Sequence, residues 1–215
     1  HYVDPDTLHA LYSFDSAYNA PTAAVFPDAP ATILDVEHDG AAYWIATLLN
    51  ATPTWLYTGA LGTLAADAGP ADMTVTASRP PGALFYNAGD GNLYLSSENG
   101  KIFYRNGAWS TWTGDPVQVD SQNVRFTRFV KAHGTTLFVG TRSHGYYSFV
   151  QGTAGSAADL TRGPSYNVSD LYNGAILGFL AVGLPDTLFA CTYGNGLWRA
   201  DYDAVGSDPW PWVQE

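Results

Sequence analysis

A short motif near the start of the chain returns near its end. Residues 5–8 read Pro-Asp-Thr-Leu, and residues 185–188 repeat them exactly in type, 180 positions later. Three weaker copies lie between, so that similar segments, called anchors here, fall near residues 8, 43, 93, 137 and 188. Because the five anchors divide 180 residues into four intervals, their mean spacing is 45 residues. A repeat of this length is typical of an architecture built from small units of one kind.

Each unit reads as short strands joined by tight turns. In the last three units an apolar stretch precedes the anchor strand, and a turn glycine follows it. These glycines are Gly100, Gly145 and Gly196, and glycine relieves the steric cost of a positive φ. Fourth strands are predicted at 108–112 and 210–213. Four short strands in about 45 residues are typical of a β-propeller blade.

The anchor strands are apolar on both faces, which limits the folds that can hold them. Blades packed face to face around an axis cover both faces, whereas the strands of a β-sandwich alternate apolar and polar residues. We predict an all-β fold in which residues 1–215 form a single β-propeller domain of five blades, each of four antiparallel strands. A fragment of a larger propeller and a β-sandwich are the alternatives. Few residues precede the first Pro-Asp-Thr-Leu, so either the two chain ends share a blade or the chain is cut from a longer one.

The last two units carry a recognisable motif. Residues 188–201 read Leu-Phe-Ala-Cys-Thr-Tyr-Gly-Asn-Gly-Leu-Trp-Arg-Ala-Asp, and residues 137–145 read Leu-Phe-Val-Gly-Thr-Arg-Ser-His-Gly. Both resemble the repeat of the two-component-regulator-type propellers, Leu-x-x-Gly-Thr-x-x-x-Gly-Leu-x-Arg-Tyr-Asp. The third unit matches in part, and the first two match only in strand pattern. The resemblance implies a propeller fold, and because that repeat holds no catalytic residue it transfers no activity.

Charge is unevenly distributed along the chain. The formal net charge is −11, and residues 1–78 contain nine acids but no Lys or Arg. A surface of this sign repels phosphate backbones, so we predict no nucleic-acid partner. The acidic segment serves solubility or docks onto a cation or a basic partner. Abundant aromatic and amide residues with only two lysines favour an exported protein, which is periplasmic, on the cell surface or secreted.

Several sequence features argue against common kinds of site. No apolar run approaches the ~18 residues needed to cross a bilayer, so we predict no transmembrane segment. The single Cys191 excludes an internal disulfide framework, and its apolar neighbours predict a buried, inert thiol. The five histidines have no zinc-binding spacing, and phosphate-binding glycine loops and Gly-x-Ser-x-Gly are absent. We therefore predict no metal, no cofactor and no catalytic residue.

Polar and aromatic residues gather in the turns after the anchors and in a long segment at 163–173. In a propeller these turns and loops share one face around the channel mouth, where rings and amides suit a sugar or a protein loop. The candidate ligand-binding residues are Glu98, Asn99, Arg142, His144, Tyr166, Asp170, Tyr172, Tyr193 and Asn195. We predict a non-enzymatic module that binds a protein or glycan. The alternatives are a glycoside hydrolase or lyase, with carboxylates such as Glu98 and Asp170 at the mouth, and a structural subunit of a surface assembly.

Overall fold

The regular structure of this protein consists almost entirely of short strands. The structure, a computed structural model, describes residues 2–3, 11–13, 22–27, 32–48, 54–76, 79–131, 135–152, 155–162, 175–182, 187–201 and 212–215. In these ranges there are two single-turn 3₁₀ helices, Leu61–Thr63 and Ala157–Asp159, and no α-helix. No helix in the described part of the chain has the length and apolar character to span a bilayer. The predicted all-β class is confirmed.

The described strands form five antiparallel sheets and a separate hairpin. Sheet 1 contains β1 (Tyr2–Val3), β2 (Leu11–Ser13) and β3 (Thr22–Ala23). Sheet 2 contains β4 (Ile33–His38), β5 (Tyr43–Thr47), β6 (Leu56–Gly59) and β7 (Ala65–Asp67), and sheet 3 contains β8 (Pro81–Asn87), β9 (Asn92–Ser97), β10 (Ile102–Asn106) and β11 (Ala108–Thr111). The hairpin pairs β12 (Gln118–Val119) with β13 (Gln122–Asn123). Sheet 4 contains β14 (Phe126–Lys131), β15 (Thr136–Thr141), β16 (Tyr146–Val150) and β17 (Thr161–Arg162), and sheet 5 contains β18 (Ile176–Val182), β19 (Thr187–Thr192), β20 (Leu197–Asp201) and β21 (Val213–Gln214).

The repeat seen in the sequence corresponds to one position in these sheets. The anchors near residues 43, 93, 137 and 188 fall in β5, β9, β15 and β19, each the second strand of a four-stranded sheet. The anchor near residue 8 lies outside the described residues. Within sheets 2 to 5 the strands follow one another in chain order, so each 45-residue unit is an up-and-down meander.

The first strands of successive four-stranded sheets lie against one another. β4 contacts β8, β8 contacts β14, and β14 contacts β18. Later strands of each sheet lie progressively farther from this inner row, because each pairs only with its neighbours in the sheet. This is the radial arrangement of a β-propeller, with the first strand innermost. The extent of the domain and the number of blades in a closed ring stay predictions.

Each interface between successive sheets from sheet 2 to sheet 5 is an apolar core. Leu93 and Leu95 of β9 pack with Trp44 of sheet 2, whereas Tyr94 between them packs against Phe149 of sheet 4. Full burial of side chains of this size contributes about 1.5–3 kcal/mol each. The anchor strand is therefore apolar on both faces because a sheet covers it on either side.

Sheet 5 is covered on one face only within the described residues. Leu188 and Ala190 of β19 pack toward sheet 4, while Cys191, which points the opposite way, is exposed. Leu180 and Leu197 are also exposed on this sheet. The expectation of a buried Cys191 is wrong: neighbouring residues on a strand face opposite sides, and the thiol lies on the uncovered side.

A hydroxyl residue at the end of the anchor strand closes three of the hairpins. Thr141 Oγ1 donates a hydrogen bond of 2.9 Å to the Gly145 carbonyl, and Thr192 Oγ1 makes the same bond to Gly196. Ser97 Oγ donates to the Lys101 carbonyl at 2.9 Å in sheet 3. The threonine and the second glycine of the sequence motif are thus the two ends of a turn-closing hydrogen bond.

The buried Thr141 gives a test of this turn closure. Replacing Thr141 with Val should destabilise the fold by roughly 1–3 kcal/mol, because the His144 amide loses its hydroxyl acceptor and the Gly145 carbonyl loses one of its two donors. Urea unfolding followed by tryptophan fluorescence measures the change. Thr161→Val, on the exposed face of the edge strand β17, is the matched control and should lie within about 0.5 kcal/mol of the parent. Equal stability of the two variants would contradict the role of the hydroxyl.

Labelling of Cys191 tests the uncovered face of sheet 5. We expect the folded chain to react with a maleimide about as fast as the urea-unfolded chain, because the structure leaves this side chain exposed. The rate is measured by mass spectrometry, with Cys191→Ser as the unlabelled control. Strong protection of the thiol in the folded chain would show that this face is covered.

Candidate functional site

Turns and inter-sheet segments converge on one end of the sheets, called the loop face here. It comprises the turns at 98–100, 142–145 and 193–196 and the described residues that lead into β8 (79–80), β14 (124–125) and β18 (175). The strand register brings them together, because Pro81 pairs with Ser97, Phe126 with Thr141, and Ile176 with Thr192. Each first strand therefore begins beside the turn that follows the second strand.

The beginning of every first strand at this face is irregular. The register shifts at the start of β4, β8, β14 and β18, as in a β-bulge. Two polar groups near these shifts bond across to the next sheet. The Leu84 amide donates to Asp35 Oδ2 at 2.9 Å, and Thr127 Oγ1 donates to the Ile176 carbonyl at 2.9 Å. The bulges thus join neighbouring sheets at the rim of the loop face.

An ion pair connects the turns of sheets 3 and 4 at the loop face. Arg142 Nη2 lies 2.5 Å from Glu98 Oε1. Glu98 is only 8 % exposed, whereas the Arg142 side chain is 53 % exposed. A carboxylate buried to this degree is tolerated when a cation compensates its lost hydration. Arg142 therefore fixes the position of Glu98 and still presents much of its guanidinium to solvent.

Two cavities adjoin at Glu98. The first, about 180 Å³, lies at the inner row of first strands and includes Glu98 and Arg142 in its wall. Its other described lining residues are Leu34, Pro80, Pro81, Gly82, Phe126 and Thr127. The second, about 350 Å³, is bounded by Arg79, Glu98, Asn99, Ser121, Gln122, Asn123 and Arg125. A larger apolar hollow of about 390 Å³ lies on the uncovered side of sheet 5, away from this polar site.

The β12–β13 hairpin supplies one wall of the second cavity. Its two turn residues, Asp120 and Ser121, have φ values of 51° and 63°, the left-handed conformation of a two-residue type I′ turn. Gln118 Nε2 donates to Asn123 Oδ1 at 2.9 Å across the hairpin. This short, well-defined insertion between sheets 3 and 4 places Ser121, Gln122 and Asn123 at the cavity.

The predicted site residues divide into three groups. Glu98, Asn99 and Arg142 are brought together at the cavities. His144, Tyr193 and Asn195 lie on loop-face turns but are not among the described lining residues of these two cavities. The Asn195 carbonyl accepts hydrogen bonds from Trp198 Nε1 and Gln214 Nε2, so its backbone holds sheet 5 together. Tyr166, Asp170 and Tyr172 lie outside the described residues.

Sequence reasoning missed five lining residues of the second cavity. They are Arg79, Ser121, Gln122, Asn123 and Arg125. The hairpin has no counterpart in the described residues of the other units, so a search guided by the repeat passes over it. One signal was present: Arg79 is the first cation in the chain, and it lies two positions before the inner strand β8.

The surroundings of the turn at 142–145 disfavour protonation of His144. Burial lowers the pKa of His144 below its ordinary 6.5, the positive charge of Arg162 lowers it further, and Asp120 opposes the change. His144 Nδ1 lies 2.9 Å from Ser143 Oγ, and the His144 carbonyl accepts a bond of 3.3 Å from Arg162 Nε. His144 is therefore mainly neutral at pH 7.

The described residues provide no ready-made metal centre. No group of three or more His, Cys, Asp or Glu side chains in this part of the chain could hold an ion together. The absence of a cofactor stays a prediction. The chemistry assembled at the cavities is instead that of hydrogen bonding and charge recognition by guanidinium, carboxylate, amide and hydroxyl groups.

Comparison with known proteins identifies the fold. Comparisons with family models and with curated proteins give no match. Among solved structures, the extracellular domain of the proposed one-component system BT4673 from B. thetaiotaomicron is similar, with a TM-score of 0.64, 16% identity, and coverage of 99% of this chain and 26% of that chain. The β-propeller domain of Myceliophteria thermophila Cps50 (Swd1) has a TM-score of 0.61 at 12% identity, over 97% of this chain and 68% of that one.

A further sensor domain shares the fold. The extracellular domain of the proposed hybrid two-component system BT3049 from B. thetaiotaomicron has a TM-score of 0.55 at 14% identity, over 80% of this chain and 23% of that chain. This chain thus spans about a quarter of the length of the sensor-system chains that it matches. At these identities the likeness establishes the fold, which is a β-propeller. The predicted resemblance to the propellers of two-component regulators is confirmed at the level of the fold.

The titration of His144 tests the electrostatics of this turn. Replacing Arg162 with Gln should raise the pKa of His144 toward 6.5, because a nearby positive charge is removed. The ring signals of His144, assigned with His144→Asn, are followed by NMR against pH. Since the folded state binds this proton less readily than the unfolded state, His144 should also lower stability as the pH falls below 6.5. Arg199→Gln is the charge-matched control. An unchanged titration midpoint of His144 in Arg162→Gln would contradict the effect assigned to the Arg162 charge.

Proposed function

We propose that this chain is a non-enzymatic, exported β-propeller module that binds a protein or glycan through its loop face. The pair of cavities that meet at Glu98 supports this proposal. Their walls combine side chains from three sheets and the β12–β13 hairpin, as expected of a site built on loops held by a rigid scaffold. The larger one falls in the usual size range of small-molecule sites, roughly 300–1,000 Å³.

The arrangement of carboxylates favours binding over glycoside hydrolysis or elimination. Hydrolysis needs a second acid across the cleft from the first. Among the described residues that line the two cavities, Glu98 is the one carboxylate, and Arg142 pairs with it. Asp170, the other acid considered for this role, lies outside the described residues. A buried carboxylate held in an ion pair suits the fixing of a ligand's orientation.

Export is the second element of the proposal. Two of the similar solved structures are extracellular domains of proposed one-component and hybrid two-component systems. The scarcity of lysine in this chain and its acidic balance agree with that setting. We infer that this chain works outside the cytoplasm, as a recognition unit of a larger protein or assembly.

The structural-subunit alternative has one observation in its favour, the exposed apolar face of sheet 5. Another sheet or a partner protein packed on that face would bury Leu180 and Leu197. Labelling of Cys191 reports directly on whether this face is covered. The loop face lies at the ends of the strands, so coverage of sheet 5 and ligand binding are independent properties.

Ligand binding is tested with the full chain on a glycan array and against proteins of the cell surface. For any ligand retained, Arg142→Ala should weaken binding about tenfold or more, since a charge-assisted hydrogen bond contributes roughly 1.5–3 kcal/mol. Asn99→Ala is a second loop-face variant that leaves the Glu98 ion pair intact. Arg199→Ala, in β20 of sheet 5 and away from the two cavities, is the control and should bind as the parent does. Failure of both binding screens together with measurable turnover of a glycoside would overturn the proposal.

A further inference from the structure

Cations are concentrated at the loop face of an otherwise acidic chain. Of its nine Lys and Arg residues, Arg79, Arg125 and Arg142 all line the two adjoining cavities. The net charge of −11 repels anions at long range, so a site for an anion requires cations gathered locally. Three guanidinium groups around one carboxylate, Glu98, make such a local excess of positive charge.

Two of these arginines have no protein partner among the described residues. Elsewhere, Arg105 lies over the Trp44 ring at 4.6 Å, and Arg199 pairs with Glu215 at 3.1 Å. The side chains of Arg79 and Arg125, in contrast, make no hydrogen bond or ion pair within the part of the chain that the structure describes, and both are exposed. Because Arg142 already neutralises Glu98, the charges of Arg79 and Arg125 are available to a ligand.

The rest of the second cavity is polar. Its other described lining residues are Asn99, Ser121, Gln122 and Asn123, with Glu98 at the boundary to the first cavity. Amide and hydroxyl side chains offer both donors and acceptors, which match the hydroxyl groups of a sugar. The described lining contains no aliphatic or aromatic side chain, whereas a peptide ligand would need apolar contacts for its own side chains.

We propose that the second cavity binds an acidic saccharide, with Arg79 and Arg125 holding a uronate carboxylate. The planar guanidinium fork matches a carboxylate in two parallel hydrogen bonds, which gives orientation as well as attraction. Asn99, Gln122 and Asn123 then bond to ring hydroxyls. This inference rests on the proposed function, because it names the ligand class of the same loop face.

Isothermal titration calorimetry of the full chain with uronate tetrasaccharides tests the inference. The probes are the galacturonate, glucuronate and mannuronate tetramers, each compared with the same oligosaccharide after reduction of its carboxyl groups to alcohols. We expect at least one uronate to bind and its reduced form to bind at least tenfold more weakly. Arg79→Gln and Arg125→Gln should each weaken uronate binding roughly 10- to 100-fold, the loss of a charged hydrogen-bond partner. Arg199→Gln removes the same charge outside the site and should leave the affinity unchanged.

The other outcomes separate this inference from the proposed function. Equal binding of a uronate and its reduced form, or unchanged affinity in both arginine variants, would overturn the uronate site while leaving the loop face as a binding site. Binding of penta-aspartate but of no uronate would also overturn it, in favour of an acidic peptide. If no uronate binds while the glycan array retains a neutral glycan, this inference fails and the proposed function stands.

Discussion

Contact between the apolar faces of neighbouring sheets is the interaction on which this structure depends. A four-stranded sheet of short strands cannot bury its side chains alone, and it becomes stable only when a similar sheet covers each face. The sequence meets this demand at β9, where Leu93 and Leu95 pack toward sheet 2 and Tyr94 toward sheet 4. The loops contribute little to this contact between sheets, so polar and charged residues can occupy them without loss of the fold.

The polar site can form because the sheets provide the apolar core and the loops do not have to. Because the first strands lie innermost and each begins beside the turn that follows the second strand, these beginnings and turns are brought to one rim from different sheets. Glu98 and Arg142 are 44 positions apart in sequence, about one repeat, and meet because they occupy equivalent turns of adjacent sheets. The cavities at this rim therefore combine residues from several repeats, and the recognition proposed for them cannot be assigned to a single repeat.

The sequence predicted the elements that recur and missed those that occur once. Anchor strands recur about every 45 residues in sheets 2 to 5, and the turn glycines that follow them recur in sheets 3 to 5. Within the part of the chain that the structure describes, the β12–β13 hairpin occurs once, so its part in the cavity required the three-dimensional structure. The exposure of Cys191 could not be predicted either, because the sequence of a strand with two apolar faces does not show which face lacks a covering sheet. The pairing of Glu98 with Arg142 depends on the packing of adjacent sheets, which spacing alone does not give.

The bonds from Asp35 to the Leu84 amide and from Thr127 to the Ile176 carbonyl have a bearing on selectivity. They fasten adjacent sheets at the rim where the cavities open, so the proposed binding site is already assembled before a ligand arrives. Little conformational entropy is then lost on complex formation, which benefits affinity. A rigid site also excludes ligands of the wrong shape instead of adapting to them, so selectivity between ligands would come chiefly from the shape of the cavities.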